Sequence, residues 1–268
     1  KVFGRRELFR SESAGRAGRS ASKLAHCGGH LLAQTFATRR TRVRPAATLP
    51  AECPACGRAP GAMSSAGPGA ARGGAAFDLA LRPFPPMALA AVDDAGLAGL
   101  GLHCCVVDDV LTAAECDAIV AAADGVGFEP ALLGVKGGRQ ALDTTLRDSE
   151  RCIADAPRLA AALFRRLRPH LPEEHGDLRI VGLNERLRVL RYTRGQFFRD
   201  HRDASYARPV GHADAGARSR VTVLIYLTND FEGGRTTFFD ARNAPHPLEP
   251  RRGRAVLHDH DVWHEAPA

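Results

Sequence analysis

The stretch FFRDHRDASY, residues 197–206, places an imidazole and a carboxylate two positions apart, at His201 and Asp203. In an extended chain, residues two apart share a face, so both groups would converge on one point. Two chemistries compete for such a triplet. One is a solvated loop in which Arg199 and Arg202 neutralise Asp200 and Asp203. The other is a metal site, which a triplet alone does not establish. The tail HDHDVWH, residues 258–264, adds three imidazoles and two carboxylates in seven positions. A third ligand drawn from it completes a set of two histidines and one carboxylate. That set leaves coordination positions open and is the arrangement used by non-haem Fe(II) oxygenases.

The elements around these residues must hold them. Leu178 onward reads as short strands separated by Gly, Pro and Asp turns. The candidate strands are 180–183, 187–193, 196–203, 220–228, 235–239 and 254–258. Residues 221–227 are apolar on both faces, which suits a strand in the middle of a sandwich. Ahead of them, 103–107 is a short apolar strand. Thr112-Ala-Ala-Glu115 fits a capping box, predicting a helix over 113–123 that Gly125 and Gly127 end. Pro157 opens a second helix, 157–171, with Leu159, Leu163, Phe164 and Leu167 on one face. Helices followed by many short strands imply an α+β arrangement around a β-sandwich or jelly roll.

The 268 residues suffice for one or two domains, and 44% hydrophobic residues suffice for a sizeable core. The net charge of +7 is unevenly spread. Residues 1–62 carry twelve Lys/Arg and three Asp/Glu, which leaves about −2 for the rest. The basic character belongs to the head, and the remainder has no electrostatic case for binding nucleic acid. Residues 1–99 read as a low-complexity, disordered basic head. It is open to three readings: a transit peptide, a disordered tail, or upstream sequence ahead of a start at Met63 or Met87. Cys53-Pro-Ala-Cys56 lacks the second ligand pair that a zinc knuckle needs. Seven cysteines without regular spacing argue for reduced thiols and an intracellular, soluble protein, cytoplasmic or organellar. No apolar run reaches the roughly 20 residues of a membrane span.

Three ordered blocks, LRVLRYTRGQFFRDHRD, SRVTVLIYLTNDFEGGRTTF and PRRGRAVLHDHDVWHEA, resemble the 2-oxoglutarate- and Fe(II)-dependent dioxygenases of the prolyl 4-hydroxylase catalytic-domain type. The opening VVDDVLTAAECDAIV is similar to that family's first strand and helix. The resemblance runs from about Leu100 to the end. It implies a double-stranded β-helix (jelly-roll) core preceded by supporting helices, as one dioxygenase domain over 100–268. It implies His201, Asp203 and His264 as iron ligands. His260 is the alternative distal ligand, and His258 a packing or hydrogen-bonding residue. It also implies Tyr192 as a hydrogen-bond partner of 2-oxoglutarate and Thr222 as a residue of the same pocket. The implied cofactors are Fe(II), 2-oxoglutarate as co-substrate, and ascorbate as reductant. The implied reaction hydroxylates a peptidyl residue such as proline, or a small molecule, with loss of CO2 from 2-oxoglutarate to give succinate. Two other readings stay open: a catalytically silent jelly-roll binding module, and a cupin-type metalloenzyme that does not use 2-oxoglutarate.

The chain departs from the family in one respect. The family carries a Lys or Arg about ten positions beyond the distal histidine, on the last core strand. Here the sequence ends at Ala268. The expectations are a C-terminally incomplete domain without its last strand, an exposed sheet edge, and weak 2-oxoglutarate binding. Arg251, Arg252 or Arg254 could substitute for that cation, although they lie in or near a turn ahead of His264.

Overall fold

The computed structural model describes residues 28–39, 77–79, 91–92, 103–135 and 139–268. Among them the elements run β1 Gly28–Arg39, β2 Ala91–Val92, β3 Cys104–Val107, α1 Ala113–Val126, β4 Glu129–Pro130, β5 Leu133–Val135, β6 Arg139–Ala141, β7 Arg147–Asp148 and β8 Glu150–Asp155. They continue as α2 Pro157–Leu167, β9 Glu174–His175, β10 Leu178–Leu183, β11 Arg186–Tyr192, β12 Phe197–His201, β13 Arg218–Tyr226, β14 Thr236–Phe239, β15 Pro245–Leu248, β16 Ala255–Asp259 and β17 Trp263–Ala266. Among the described residues strands far outnumber helices, as the turn-rich pattern beyond Leu178 implies.

The capping box forms. Glu115 N–H donates to Thr112 Oγ1 at 3.2 Å, and Thr112 N–H donates to Glu115 Oε2 at 2.9 Å. The helix runs three residues past the expected end, because Gly125 is tolerated inside it and Gly127, at φ 92°, is the residue that stops it. Helix α2 buries Leu159, Ala160, Leu163 and Leu167, and a 3₁₀ turn at Arg168–His170 completes the expected span. Arg166 clamps Glu115 through both terminal nitrogens, at 2.9 and 2.7 Å, and so ties α2 to the first turn of α1. This pair is largely buried, and its fork geometry suits a guanidinium on a carboxylate.

Strands pack in two principal sheets. The larger has the order β2-β3-β16-β13-β1-β11-β8-β4, with β10 pairing β1 and β9 pairing β10. The smaller is β15-β14-β17-β12-β7. Strand β13 shows how one sequence serves two faces. Val221, Val223 and Ile225 join the core under α1 and α2, whereas Leu224 and Tyr226 pack with Phe238, Leu248 and Val262 of the smaller sheet's side. The layers are therefore helices, large sheet, small sheet. The turn into β16 depends on Gly253, at φ +85°, where any Cβ would strike the Leu111 carbonyl. The next residue, Arg254, is 1% exposed and fixed on Asp108 at 2.6 and 3.0 Å.

One expectation is corrected here. Residues 1–99 are not uniformly a structureless head: Gly28–Arg39 is a strand in the middle of the larger sheet. It pairs antiparallel with β11 and β10 on one side and β13 on the other. The physical reason is its alternation. Leu31, Ala33 and Ala37 enter the helix-side core, while His30 and Gln34 are buried on the opposite face. In the larger sheet β1 lies between β11 and β13. Cys53, Cys56, Met63 and Met87 fall outside the described residues.

Candidate metal centre

Strand β12 carries His201 at its last position, and β17 carries His264 directly opposite in the antiparallel register. Asp203 lies just beyond β12. It is held from two sides: its N–H donates to the His260 carbonyl at 3.1 Å, and the Thr222 hydroxyl donates to its Oδ2. Ligand atoms of His201, Asp203 and His264 all lie within 4.8 Å of one another.

The remaining ring nitrogens are committed. His201 Nδ1 lies 2.8 Å from the Arg199 carbonyl and His264 Nδ1 lies 3.1 Å from the Val262 carbonyl. A carbonyl only accepts, so each Nδ1 carries the proton and each Nε2 keeps its lone pair. Backbone acceptors that fix tautomer and ring orientation are the usual support of metal-ligating histidines. Phe198 stacks on His201 with centroids 3.5 Å apart, which restricts the ring further.

The electrostatics agree. Burial, reinforced by neighbouring His264, pushes His201 down to about 4, so its imidazole is neutral at pH 7. Burial alone would raise the Asp203 carboxyl. The surrounding His264, His258 and His201 imidazoles and the Thr222 hydroxyl outweigh it and hold the group below the ordinary carboxylate range. Two imidazoles and one carboxylate suit a divalent first-row cation and leave positions for other ligands. The residues present therefore fit the iron that the sequence implies.

A cavity of about 70 Å³ opens from these three residues. Tyr192, Thr236, His258 and His30 are among its walls. His258 is 1% exposed, with Nδ1 at 3.0 Å from the Asp259 carbonyl. Burial, then His264, lowers its pKa to about 3. Its ring stands edge-on to His264, with centroids 4.6 Å apart.

The expected residues thus divide. His201, Asp203 and His264 come together. His260 does not join them: it contributes a carbonyl to Asp203, and both its ring nitrogens are buried without a partner. Tyr192 lines the cavity. Thr222, expected in the co-substrate pocket, is instead fully buried behind the Asp203 carboxylate. The three arginines offered as substitutes are engaged elsewhere. Arg254 and Arg251 face Asp108, and Arg252 faces Asp117. Sequence reasoning overlooked His30, which sits in the run HLLAQTFAT. The available signal was an apolar run between Gly-Gly and a basic pair, masked by the Arg- and Gly-rich composition around it.

Comparison with known proteins adds three findings. Residues 187–268 match the model of a family described as the 2OG-Fe(II) oxygenase superfamily. Among solved structures, the chain is similar to a prolyl-4-hydroxylase of Pseudomonas putida at 22% identity and a TM-score of 0.43. The match covers 64% of this chain and 91% of that one. No curated protein matches the chain.

Proposed function

We infer the function from one premise, that residues 187–268 belong to the 2OG-Fe(II) oxygenase superfamily. On that premise the protein is an Fe(II)- and 2-oxoglutarate-dependent dioxygenase. The observation that carries the reading is the convergence of His201, Asp203 and His264 within 4.8 Å. Its substrate is a peptidyl residue such as proline, a choice supported by the resemblance of the three sequence blocks. The two sheets are read as the halves of a double-stranded β-helix. The catalytic unit is residues 103–268 together with Gly28–Arg39.

His201, Asp203 and His264 would hold the metal. When bound, Fe(II) supplies open positions at which a 2-oxo acid and O2 react, CO2 is lost, and a hydroxyl is delivered to a substrate carbon. The chain's own part is positioning. The Arg199 and Val262 carbonyls keep the Nε2 lone pairs of His201 and His264 turned inward. Thr222 aims the Asp203 carboxylate. Tyr192 offers a hydroxyl to the bound oxo acid. Apolar walls such as Leu190 and Leu224 limit water in the cavity. Ascorbate would serve to keep the metal reduced between turnovers.

Anaerobic addition of Fe(II) and then 2-oxoglutarate should produce a visible charge-transfer band that His201→Ala abolishes. Iron binding without the band would overturn the co-substrate assignment in favour of a cupin-type metal centre. No iron binding would leave a binding module. Among the described residues no helix is long and apolar enough to cross a membrane.

A further inference from the structure

The cavity has a second polar wall that the metal does not use. Its key group comes from the amino-terminal strand. In β1, His30 pairs with Leu190 of β11 and with Tyr226 of β13. Alternation sends Leu31 to the helix-side core and His30 to the opposite face, where it lines the cavity. Along β13, Tyr226 is four residues from Thr222, the partner of Asp203, or about 13 Å of strand. The His30 ring therefore stands at the end of the cavity away from Asp203.

His30 is 4% exposed, and its Nε2 is buried without any hydrogen-bond partner. Buried polar groups of native proteins are normally satisfied, and this orphan belongs to a residue that lines the cavity, where a ligand could meet it. The ring is fixed by its neighbours. It meets Tyr226 edge-on at 4.9 Å and Tyr192 at 5.6 Å. Neither phenol bonds the orphan nitrogen, and the Tyr226 hydroxyl donates instead to Thr236 Oγ1 at 2.8 Å. Among the described residues, Arg147 is the one arginine or lysine in the lining. It belongs to the metal end: its guanidinium lies over Phe198, the ring that stacks on His201, and its Nε donates to Ser149.

We propose that His30 donates its Nε2–H to the far carboxylate of a 2-oxo diacid whose oxo-acid end binds at the metal group. The assignment rests on the dioxygenase reading above. It makes β1 a functional part of the site, and it gives the pocket a reason to prefer a dicarboxylate over a monocarboxylate. A donor buried between two aromatic rings loses little by being fixed, and a carboxylate gives it the acceptor it lacks.

The test uses the full chain loaded anaerobically with Fe(II) and titrated by calorimetry with two probes. These are 2-oxoglutarate and 2-oxovalerate, which has the same carbon count but lacks the second carboxylate. The wild type should prefer 2-oxoglutarate by about ten- to a hundredfold, the range for one hydrogen bond to a charged group. His30→Leu should abolish that preference while 2-oxovalerate and Fe(II) bind as before. His30→Gln, which keeps volume and a donor near the Nε2 position, should retain part of it and shows whether the fold tolerates change at this site. Preservation of the preference in His30→Leu would overturn the proposal. Equal weakening of both acids in both variants would also overturn it, because it would mark His30 as structural. If the wild type binds Fe(II) but neither acid, the dioxygenase reading itself fails and takes the proposal with it. That outcome is recognised by the wild-type titration alone.

Discussion

His201 and His264 face each other across the β12–β17 pair, their ring centroids 4.2 Å apart, and each fixes its Nδ1 on a backbone carbonyl of its own chain segment. With Asp203 beside them, the two rings bring ligand atoms within 4.8 Å of one another, an arrangement suited to a shared cation.

Ligand substitutions follow directly. His201→Ala, Asp203→Ala and His264→Ala should each abolish stoichiometric Fe(II) binding and turnover. His260→Ala should leave binding within a few-fold of wild type, because His260 acts through its carbonyl. Equilibrium titration with Fe(II) checks this, and loss of iron in His260→Ala would reassign the distal ligand.

Thr222→Val removes the hydroxyl that aims Asp203 while keeping the volume. Loss of such a support typically costs about ten- to a hundredfold in metal affinity. The fold should survive, since the residues flanking Thr222 in β13, Val221 and Val223, are buried and apolar. An unchanged affinity would show that the carboxylate needs no such support.

The pH dependence of the metal-free protein has a definite sign. Burial lowers His30 and His201 to about 4 and His258 to about 3, against an ordinary value of 6.5. Between those values the unfolded chain binds more protons than the folded one, so stability rises with pH. Stability is full above about 6.5 and is lost as pH falls toward 4. Thermal unfolding of the apo protein from pH 7.5 to 4.5 should show a monotonic fall in Tm. Fe(II) should lessen it at the upper end of that range. A Tm maximum near pH 5 would contradict the buried, neutral assignment.

Strand β1 is open to test through its core face. Leu31 is fully buried in the helix-side cluster. Leu31→Ala should cost about 2–5 kcal/mol by chemical denaturation, the range for a buried leucine. A change below about 0.5 kcal/mol, typical of surface sites, would mean that the strand does not lie in the sheet.

The sequence made the site more legible than the sheet that frames it. His201, Asp203 and His264 stand out because ligand chemistry restricts residue types and spacing. The α1 cap was legible because Thr112 and Glu115 form a local, two-residue device. The path of β1 was not. Its alternation is short, and its partners, Leu190 and Tyr226, are set by pairings remote in sequence. Thr222 was misplaced for a related reason. Strand alternation gives the face on which a side chain lies but not which neighbour on that face receives its hydroxyl.

The position of β1 also sets a timetable. His30 leaves the ribosome about 200 residues ahead of Tyr226, its neighbour across the sheet. At ordinary elongation rates the strand waits roughly 10–40 s for that partner. Pairing of β1 with β13 is therefore a high-contact-order event, completed only after β10 and β11 are available on its other side.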